Sequence, residues 1–126
     1  MSSMPPYNPT PSTLSNYYKS LFPMKSYTKW MCYAQKPEDY FIRREFVFIL
    51  DKDGEEVHLR YRSFPNPIDF EKELIKVAPS KLDLGAVYSH SPKDRLRYGA
   101  EFKPQERELI FDIDMDDYDN VRGCCK

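Results

Sequence analysis

The stretch "FIRREFVFILDKDGEEVHLRYRSF", residues 41–64, decides the fold class of this chain. Its first part, "FIRREFVFIL", is rich in Phe, Ile and Val, and the final part, "VHLRYRSF", has a similar strand-like composition. The intervening "DKDGEE" is typical of a hairpin loop with Gly54 at its tip. The stretch therefore predicts two strands joined by a tight turn.

Helical patterns lie on both sides of this hairpin. In "STLSNYYKSLF" the apolar residues recur at i, i+3, i+4 and i+7, which predicts a helix from Thr13 to just before Pro23. Further helices are expected over 25–34 and 69–78. "LDLGAVYSH" (82–90) and "RELIFDIDM" (107–115) predict two more strands, joined by a polar connection. This order predicts an α+β fold, with a mixed or antiparallel sheet and flanking helices.

The bulk composition limits the possible partners. The chain has 126 residues and a formal net charge of -1, so one modest domain is expected and no global field attracts nucleic acid or a membrane. Residues 1–12 hold four of the eleven prolines and are expected to form a flexible N-terminal arm, followed by one domain over 13–126. Three cysteines, two of them adjacent, favour a reducing compartment over a disulfide framework.

A pair of aspartates occurs in the last predicted strand. Because side chains alternate along a strand, Asp112 and Asp114 share one face, and Leu109, Phe111 and Ile113 share the other, where they can line a core. A divalent cation such as Mg²⁺ or Mn²⁺ would remove the repulsion between the two carboxylates. The same pattern is also typical of a solvated loop or a first helical turn, and alone it favours that interpretation.

Charged side chains also recur at alternate positions of two other predicted strands, and a lone acid, Glu45, lies in the first. The alternating residues are His58, Arg60 and Arg62 in one strand and Lys81 and Asp83 in the other. If these faces coincide, acids lie beside Arg and Lys on one side of the sheet, an arrangement suited to a metal-bound triphosphate. An ordinary antiparallel sheet with one solvated face has the same periodicity, so the periodicity leaves both interpretations open.

Five motifs in order carry a family resemblance. They are "LFP…W" (21–30), "REFVF" (44–48), "LRYRSF" (59–64), "LDLGAVYSH" (82–90) and "ELIFDIDMDDYDNVRGCC" (108–125). Together they resemble the N-terminal part of the catalytic small subunit of eukaryotic DNA primase, in the archaeo-eukaryotic primase superfamily. The resemblance implies template-directed synthesis of short RNA primers from ribonucleoside triphosphates on single-stranded DNA, by two-metal nucleotidyl transfer that starts DNA replication.

The resemblance also implies roles for particular residues. Asp112 and Asp114 correspond to two of three catalytic carboxylates that bind two Mg²⁺ or Mn²⁺ ions. Four residues are expected to bind the nucleotide: Glu45, Arg60, Lys81 and Asp83. Cys124 and Cys125 correspond to the first two ligands of a structural zinc site.

The family resembled here has much longer chains. The resemblance therefore implies that 13–126 is a partial catalytic domain truncated at the start of the zinc motif, without the third carboxylate and the other two zinc ligands. Two thiolates are half of a tetrahedral zinc site. A polypeptide of this length is expected to be inactive alone and to expose apolar surface where partner strands are lacking.

The resemblance implies several partners and a location. The partners are the large primase subunit in a heterodimer, the DNA polymerase alpha complex and single-stranded DNA template, and no membrane is expected. The expected location is the nucleus. Two other classes stay open. One is a metal-dependent phosphodiesterase or nuclease, in which the same acids would act on water instead of on a primer hydroxyl. The other is a non-catalytic module that binds nucleic acid or a subunit through its sheet.

Overall fold

A computed structural model of the chain describes residues 7–114, Val121 and Gly123. The helices are α1 (Pro11–Ser20), α2 (Met24–Met31), α3 (Pro37–Tyr40), α4 (Pro67–Val77) and α5 (Arg95–Tyr98). The strands are β1 (Arg44–Lys52), β2 (Glu55–Arg62), β3 (Lys81–Tyr88) and β4 (Pro104–Glu106), and short 3₁₀ helices occupy Phe41–Arg43, Pro92–Asp94 and Gly99–Glu101. The predicted α+β class is confirmed.

Side-chain caps set the starts of the two longest helices. Thr10 caps α1 by accepting a hydrogen bond from the backbone N–H of Thr13, so the helix begins at Pro11, two residues before the predicted start. Asn66 caps α4 by accepting a hydrogen bond from the N–H of Asp69. Both helices carry proline in the first turn, where its missing N–H costs nothing.

The sheet is antiparallel, with the strand order β2-β1-β3-β4. Gly54 lies at the predicted hairpin tip with φ 86°, a left-handed conformation that favours glycine, and its N–H donates to the Asp51 side chain at 2.9 Å. β1 and β3 each pair with a strand on both sides, so they are the two interior strands of the sheet.

An aromatic core covers one face of the sheet beneath the helices. Its buried phenylalanine rings are Phe41, Phe46, Phe48, Phe64 and Phe70. Phe70 of α4 lies closest to Phe46 of β1, with ring centroids 4.5 Å apart. Burying one such side chain stabilises the fold by about 1.5–3 kcal/mol, so these rings hold the helices against this face of the sheet. The opposite face of the sheet stays open.

A bulge in β2 reverses one predicted side-chain direction. Tyr61 has φ 57°, and the pairing with β1 shifts between Phe46 and Phe48. The extra residue turns Arg62 to the core side, where its guanidinium lies 5.2 Å from the Phe48 ring centroid and pairs with Glu73 of α4 at 3.0 Å. The prediction that Arg62 shares a face with Arg60 is therefore wrong, because a bulge breaks the two-residue alternation.

The fourth strand lies earlier than predicted. β4 falls within the expected polar connection, and residues 107–114 have neither helix nor strand. Leu109, Phe111 and Ile113 are exposed, so the prediction that they line a core is wrong. No strand of the described part pairs with 107–114, and without a neighbour a segment has neither ladder hydrogen bonds nor a layer to pack on. The expectation of exposed apolar surface is confirmed for these residues.

Within the described residues, no helix is both long enough and apolar enough to cross a membrane.

Candidate functional site

The face of the sheet opposite the aromatic core carries a cleft of about 630 Å³, here named the sheet-face cleft. Its floor comes from β1, β2 and β3, and residues 104–107 form one wall. Its polar lining includes Glu45, His58, Arg60, Asp83 and Tyr88. The cleft therefore collects charged side chains from three consecutive strands.

Strand register explains why these side chains meet. Residues paired across an antiparallel ladder point to the same face. Ile49 of β1 is opposite both His58 of β2 and Lys81 of β3, and Val47 is opposite Asp83. The polar faces of β2 and β3, whose coincidence the periodicity left open, thus lie on the same side of the sheet, apart from Arg62. The roles of these residues in binding a nucleotide stay predictions.

Glu45 is the buried centre of the cleft. Its carboxylate, in a residue only 2% exposed, accepts hydrogen bonds from the Tyr61 N–H at 3.0 Å, Arg60 Nε at 3.3 Å and the Tyr88 hydroxyl at 3.2 Å. Burial, followed by the nearby Glu45 charge, raises the pKa of Tyr88, and the Glu45 hydrogen bond raises the pKa of Arg60. Glu45 therefore holds Arg60 in place while 54% of the Arg60 side chain stays exposed.

Gly85 of β3 provides the space that Glu45 needs. A Cβ placed on Gly85 would lie 2.7 Å from Glu45 Cβ and 2.8 Å from Glu45 Oε2, well inside van der Waals contact. The β1–β3 pairing also shifts beside this residue, between Arg44 and Phe46. Glycine inside a strand is a known signal of close approach by a neighbour, so "LDLGAVY" contained a clue to this contact.

Lys81 lies on the cleft face but is engaged at the surface. Its ammonium pairs with the carboxylate of Glu56, and His58 Nε2 lies 3.6 Å from the second Glu56 oxygen. Hydrogen bonding within this pair raises the pKa of Lys81 and lowers the pKa of Glu56. Exposed ion pairs are weak, so an incoming anion could replace Glu56 as the partner of Lys81.

The remaining predicted acids are exposed. Asp83 lines the cleft, whereas Asp112 and Asp114 lie in the 107–114 segment; the side chains of these three acids form no hydrogen bond or ion pair with another described residue. Across 7–114, no three His, Cys, Asp or Glu side chains gather so that they could hold a metal. The assignment of Asp112 and Asp114 as metal ligands stays a prediction. The predicted zinc ligands Cys124 and Cys125 lie outside the described residues.

Two contributors to the cleft and the partner of Lys81 were not predicted. Tyr88 was treated only as a strand residue, 104–106 only as a polar connection, and Glu56, the partner of Lys81, only as part of the hairpin loop. Each depends on which residues the fold places opposite one another across more than twenty positions of sequence. Spacing within one strand carries no signal for such contacts.

Comparison with known proteins identifies relatives of one kind. The chain is 52% identical over 116 residues to the DNA primase small subunit of Caenorhabditis elegans, covering 92% of this chain and 27% of that protein. It is 41% identical over 114 residues to the DNA primase small subunit of Schizosaccharomyces pombe (90% and 24%), and 39% identical over 118 residues to that of Saccharomyces cerevisiae (93% and 28%). The chain thus spans about a quarter of the length of these relatives. No family model matches it.

Proposed function

Because this chain belongs to the DNA primase small subunit family over nine tenths of its length, we propose that its sheet-face cleft binds a ribonucleoside triphosphate for templated RNA primer synthesis. The observation that carries the proposal is the placement of Glu45, Arg60, Lys81 and Asp83 on one open sheet face. These side chains supply two cations, a buried acid that orients one of them, and an exposed acid.

Arg60 and Lys81 are suited to the phosphates. Glu45 Oε1 accepts a hydrogen bond from Arg60 Nε, and Glu45 Oε2 lies 3.5 Å from Arg60 Nη2. The other N–H groups of the guanidinium and about half of the side chain stay exposed. A fixed guanidinium loses little conformational freedom when it forms a two-pronged contact with phosphate. Lys81 adds a mobile point charge. Asp83 offers carboxylate oxygens that can accept from ribose hydroxyls.

We further propose that Asp112 and Asp114 supply two carboxylates of the divalent metal site and that Cys124 and Cys125 supply half of a zinc site. Hard carboxylate oxygens suit Mg²⁺ or Mn²⁺, and thiolates suit Zn²⁺. When bound, divalent ions would neutralise triphosphate charge around an in-line displacement. The ligands completing both sets would come from parts of the relatives that this chain does not match.

The proposal extends to the assembly. The relatives carry the name small subunit. We propose that the protein works beside a large primase subunit and the DNA polymerase alpha complex, on single-stranded template in the nucleus.

A chimera tests the activity. In it, this chain replaces the matched 116 residues of the Caenorhabditis elegans DNA primase small subunit, and the product is assayed with its large subunit for dinucleotide synthesis on single-stranded DNA. We expect Asp112→Asn and Asp114→Asn each to lower the rate at least about 100-fold, since each removes a charge from the metal site. Asp94→Asn, an exposed acid outside the cleft lining, is the matched control and should change nothing.

The same assay separates the open alternatives. Templated dinucleotide formation would exclude a phosphodiesterase, which would instead hydrolyse the strand. Full priming by Asp112→Asn and Asp114→Asn would favour a non-catalytic binding module and contradict the proposed function.

A further inference from the structure

A buried ion pair lies on the opposite side of β1 from the sheet-face cleft. Arg44 is fully buried, and its Nη2 lies 2.8 Å from Oε1 of Glu108, whose side chain is only 7% exposed. A buried Arg–Glu pair is costly to desolvate, and apolar residues of similar size often stabilise a protein as well or better. Stability alone is therefore a weak explanation for this pair.

Arg44 is held rigidly by other groups. Its Nη1 donates to the Gly85 carbonyl and its Nη2 to the Met31 carbonyl, both at 3.3 Å. Its guanidinium carbon also lies 5.9 Å from the Tyr33 ring centroid and 5.6 Å from that of Tyr40. These contacts tie the guanidinium to α2, α3 and β3, so Arg44 is a fixed point in the fold.

Glu108 is anchored to this fixed point as an ion. Burial favours a higher pKa for Glu108, but the ion pair with Arg44 and the nearby Tyr33 hydroxyl outweigh burial and lower it. The residues just before Glu108 are held as well. The Tyr40 hydroxyl donates to Glu106 at 2.8 Å, and Arg43 Nη1 donates to Gln105 at 3.0 Å. Burial, followed by this hydrogen bond, raises the pKa of Tyr40 to about 12, so the donor proton is retained at neutral pH.

The anchored part ends at Glu108. Residues 109–114 are all exposed, and Asp112 follows Glu108 by four positions. A tether of four residues lets Asp112 reach about 13 Å from the anchor, whereas release back to Glu106 lengthens that reach to about 20 Å. The volume open to the carboxylate then grows roughly three- to fourfold.

We propose that Arg44 is a positioning residue for the metal-binding acids: by holding Glu108, it fixes where the segment bearing Asp112 and Asp114 leaves the sheet. The inference rests on the proposed function of these two aspartates. Neighbouring residues of β1 then serve the two halves of one reaction, because Glu45 orients Arg60 on the cleft side while Arg44 anchors the metal-binding segment on the other.

The first test measures metal dependence in the chimera. Glu108→Gln keeps the size of the side chain but removes its charge, and Arg44→Lys keeps the charge but removes the guanidinium fork. We expect each to raise the Mn²⁺ concentration for half-maximal rate about 10-fold, as does loss of groups that orient metal ligands, with the KM for nucleotide within about twofold. Glu73→Gln removes the Arg62–Glu73 pair on the helix side and should leave the metal dependence unchanged.

The second test needs neither metal nor activity. In the 126-residue chain, ¹⁵N relaxation should show that Glu108→Gln lowers the order parameters of residues 107–109 from about 0.85 to below about 0.6, while β1 and β2 keep their values. Tyr33→Phe removes the hydroxyl that helps to lower the pKa of Glu108 and should give a smaller decrease in the same residues.

The outcomes separate this inference from the proposed function. Unchanged metal dependence and unchanged order parameters in Glu108→Gln would overturn the positioning role of Arg44. If Arg44→Lys unfolds the chain, Glu108→Gln and Tyr33→Phe decide the matter, because both keep Arg44. If Asp112→Asn and Asp114→Asn leave priming intact, the proposed function fails, and the relaxation data still show whether Arg44 holds the segment.

Discussion

Glu45 of β1 and the aspartates of the 107–114 segment have similar sequence surroundings but differ in burial and in hydrogen bonding. Each acid lies in an apolar, strand-like run, "REFVFIL" in one case and "ELIFDID" in the other. Glu45 is buried and accepts hydrogen bonds from three residues, whereas Asp112 and Asp114 are exposed. Two similar patterns thus gave a buried, fully partnered acid and a solvated pair.

The neighbours of each run explain the difference. β1 has β2 on one side and β3 on the other, so both edges of its backbone are hydrogen-bonded and its acid is enclosed. Within the described residues, 107–114 has no such neighbour. Strand propensity expresses how well a residue fits a pleated, half-buried surface, and that surface exists only where adjacent strands supply it.

Truncating the buried acid should have the largest effect on stability. Glu45→Ala leaves the Tyr61 N–H and the Tyr88 hydroxyl without their acceptor, so we expect the free energy of unfolding to fall by about 3 kcal/mol. Asp112→Ala should change it by less than about 0.5 kcal/mol. Urea unfolding followed by circular dichroism measures both. Equal losses for the two variants would contradict the contrast drawn between the two runs.

The contact beneath Glu45 gives the next largest effect. Gly85→Ala places a methyl group 2.7 Å from Glu45 Cβ, and the crowding should lower the free energy of unfolding by about 2 kcal/mol. Gly123→Ala, where nothing lies within 4 Å, is the matched control and should be neutral. A neutral Gly85→Ala in the same urea titration would show that Glu45 moves aside freely.

Acid titration should reveal the anchor at Glu108. Its pKa in the folded protein is below the ordinary value of 4.5, so the unfolded chain binds the proton more readily at acidic pH. The stabilisation from Glu108 is therefore complete above about pH 5 and is lost as the pH falls through the folded pKa. Unfolding measured between pH 3 and 6 should show a smaller acid-induced loss for Glu108→Gln than for the parent chain. An equal acid-induced loss in both chains would mean that Arg44 does not stabilise the charged form of Glu108.

The sequence predicted the secondary structure correctly where the local pattern of residues agreed with the strands and helices that the fold places beside it. Periodicity predicted the hairpin around Gly54 and the α+β class, because each of these depends on short-range turn chemistry and apolar spacing. It also grouped His58 with Arg60 and Lys81 with Asp83, since side chains two residues apart in one strand share a face, but it left open whether the two groups lie on the same side of the sheet.

What the sequence did not predict depends on contacts between distant residues. The bulge at Tyr61 turned Arg62 away from the cleft, and composition gives little indication of where an extra residue enters a ladder. The partnership of Glu45 with Tyr88 follows from strand register. The failure of 107–114 to form a strand follows from the lack of a neighbour, which its own residues cannot reveal.

The smallest effect on stability should come from the exposed run, where a different measurement is informative. Phe111 is 78% exposed, so Phe111→Ser should change the free energy of unfolding by less than about 0.5 kcal/mol. An exposed apolar segment with strand-like composition and free backbone groups can pair with a second copy of itself. Sedimentation velocity at increasing concentration should therefore show less association for Phe111→Ser than for the parent chain.

Tyr7→Ser is the matched control for this prediction, because Tyr7 is equally exposed but lies outside the strand-like run. It should leave association unchanged. If Phe111→Ser instead destabilises the chain by more than about 1 kcal/mol, residues 107–114 are packed in solution, and the contrast between the two acidic runs loses its basis. If association is equal in all three chains, the exposed run does not act as a free strand edge.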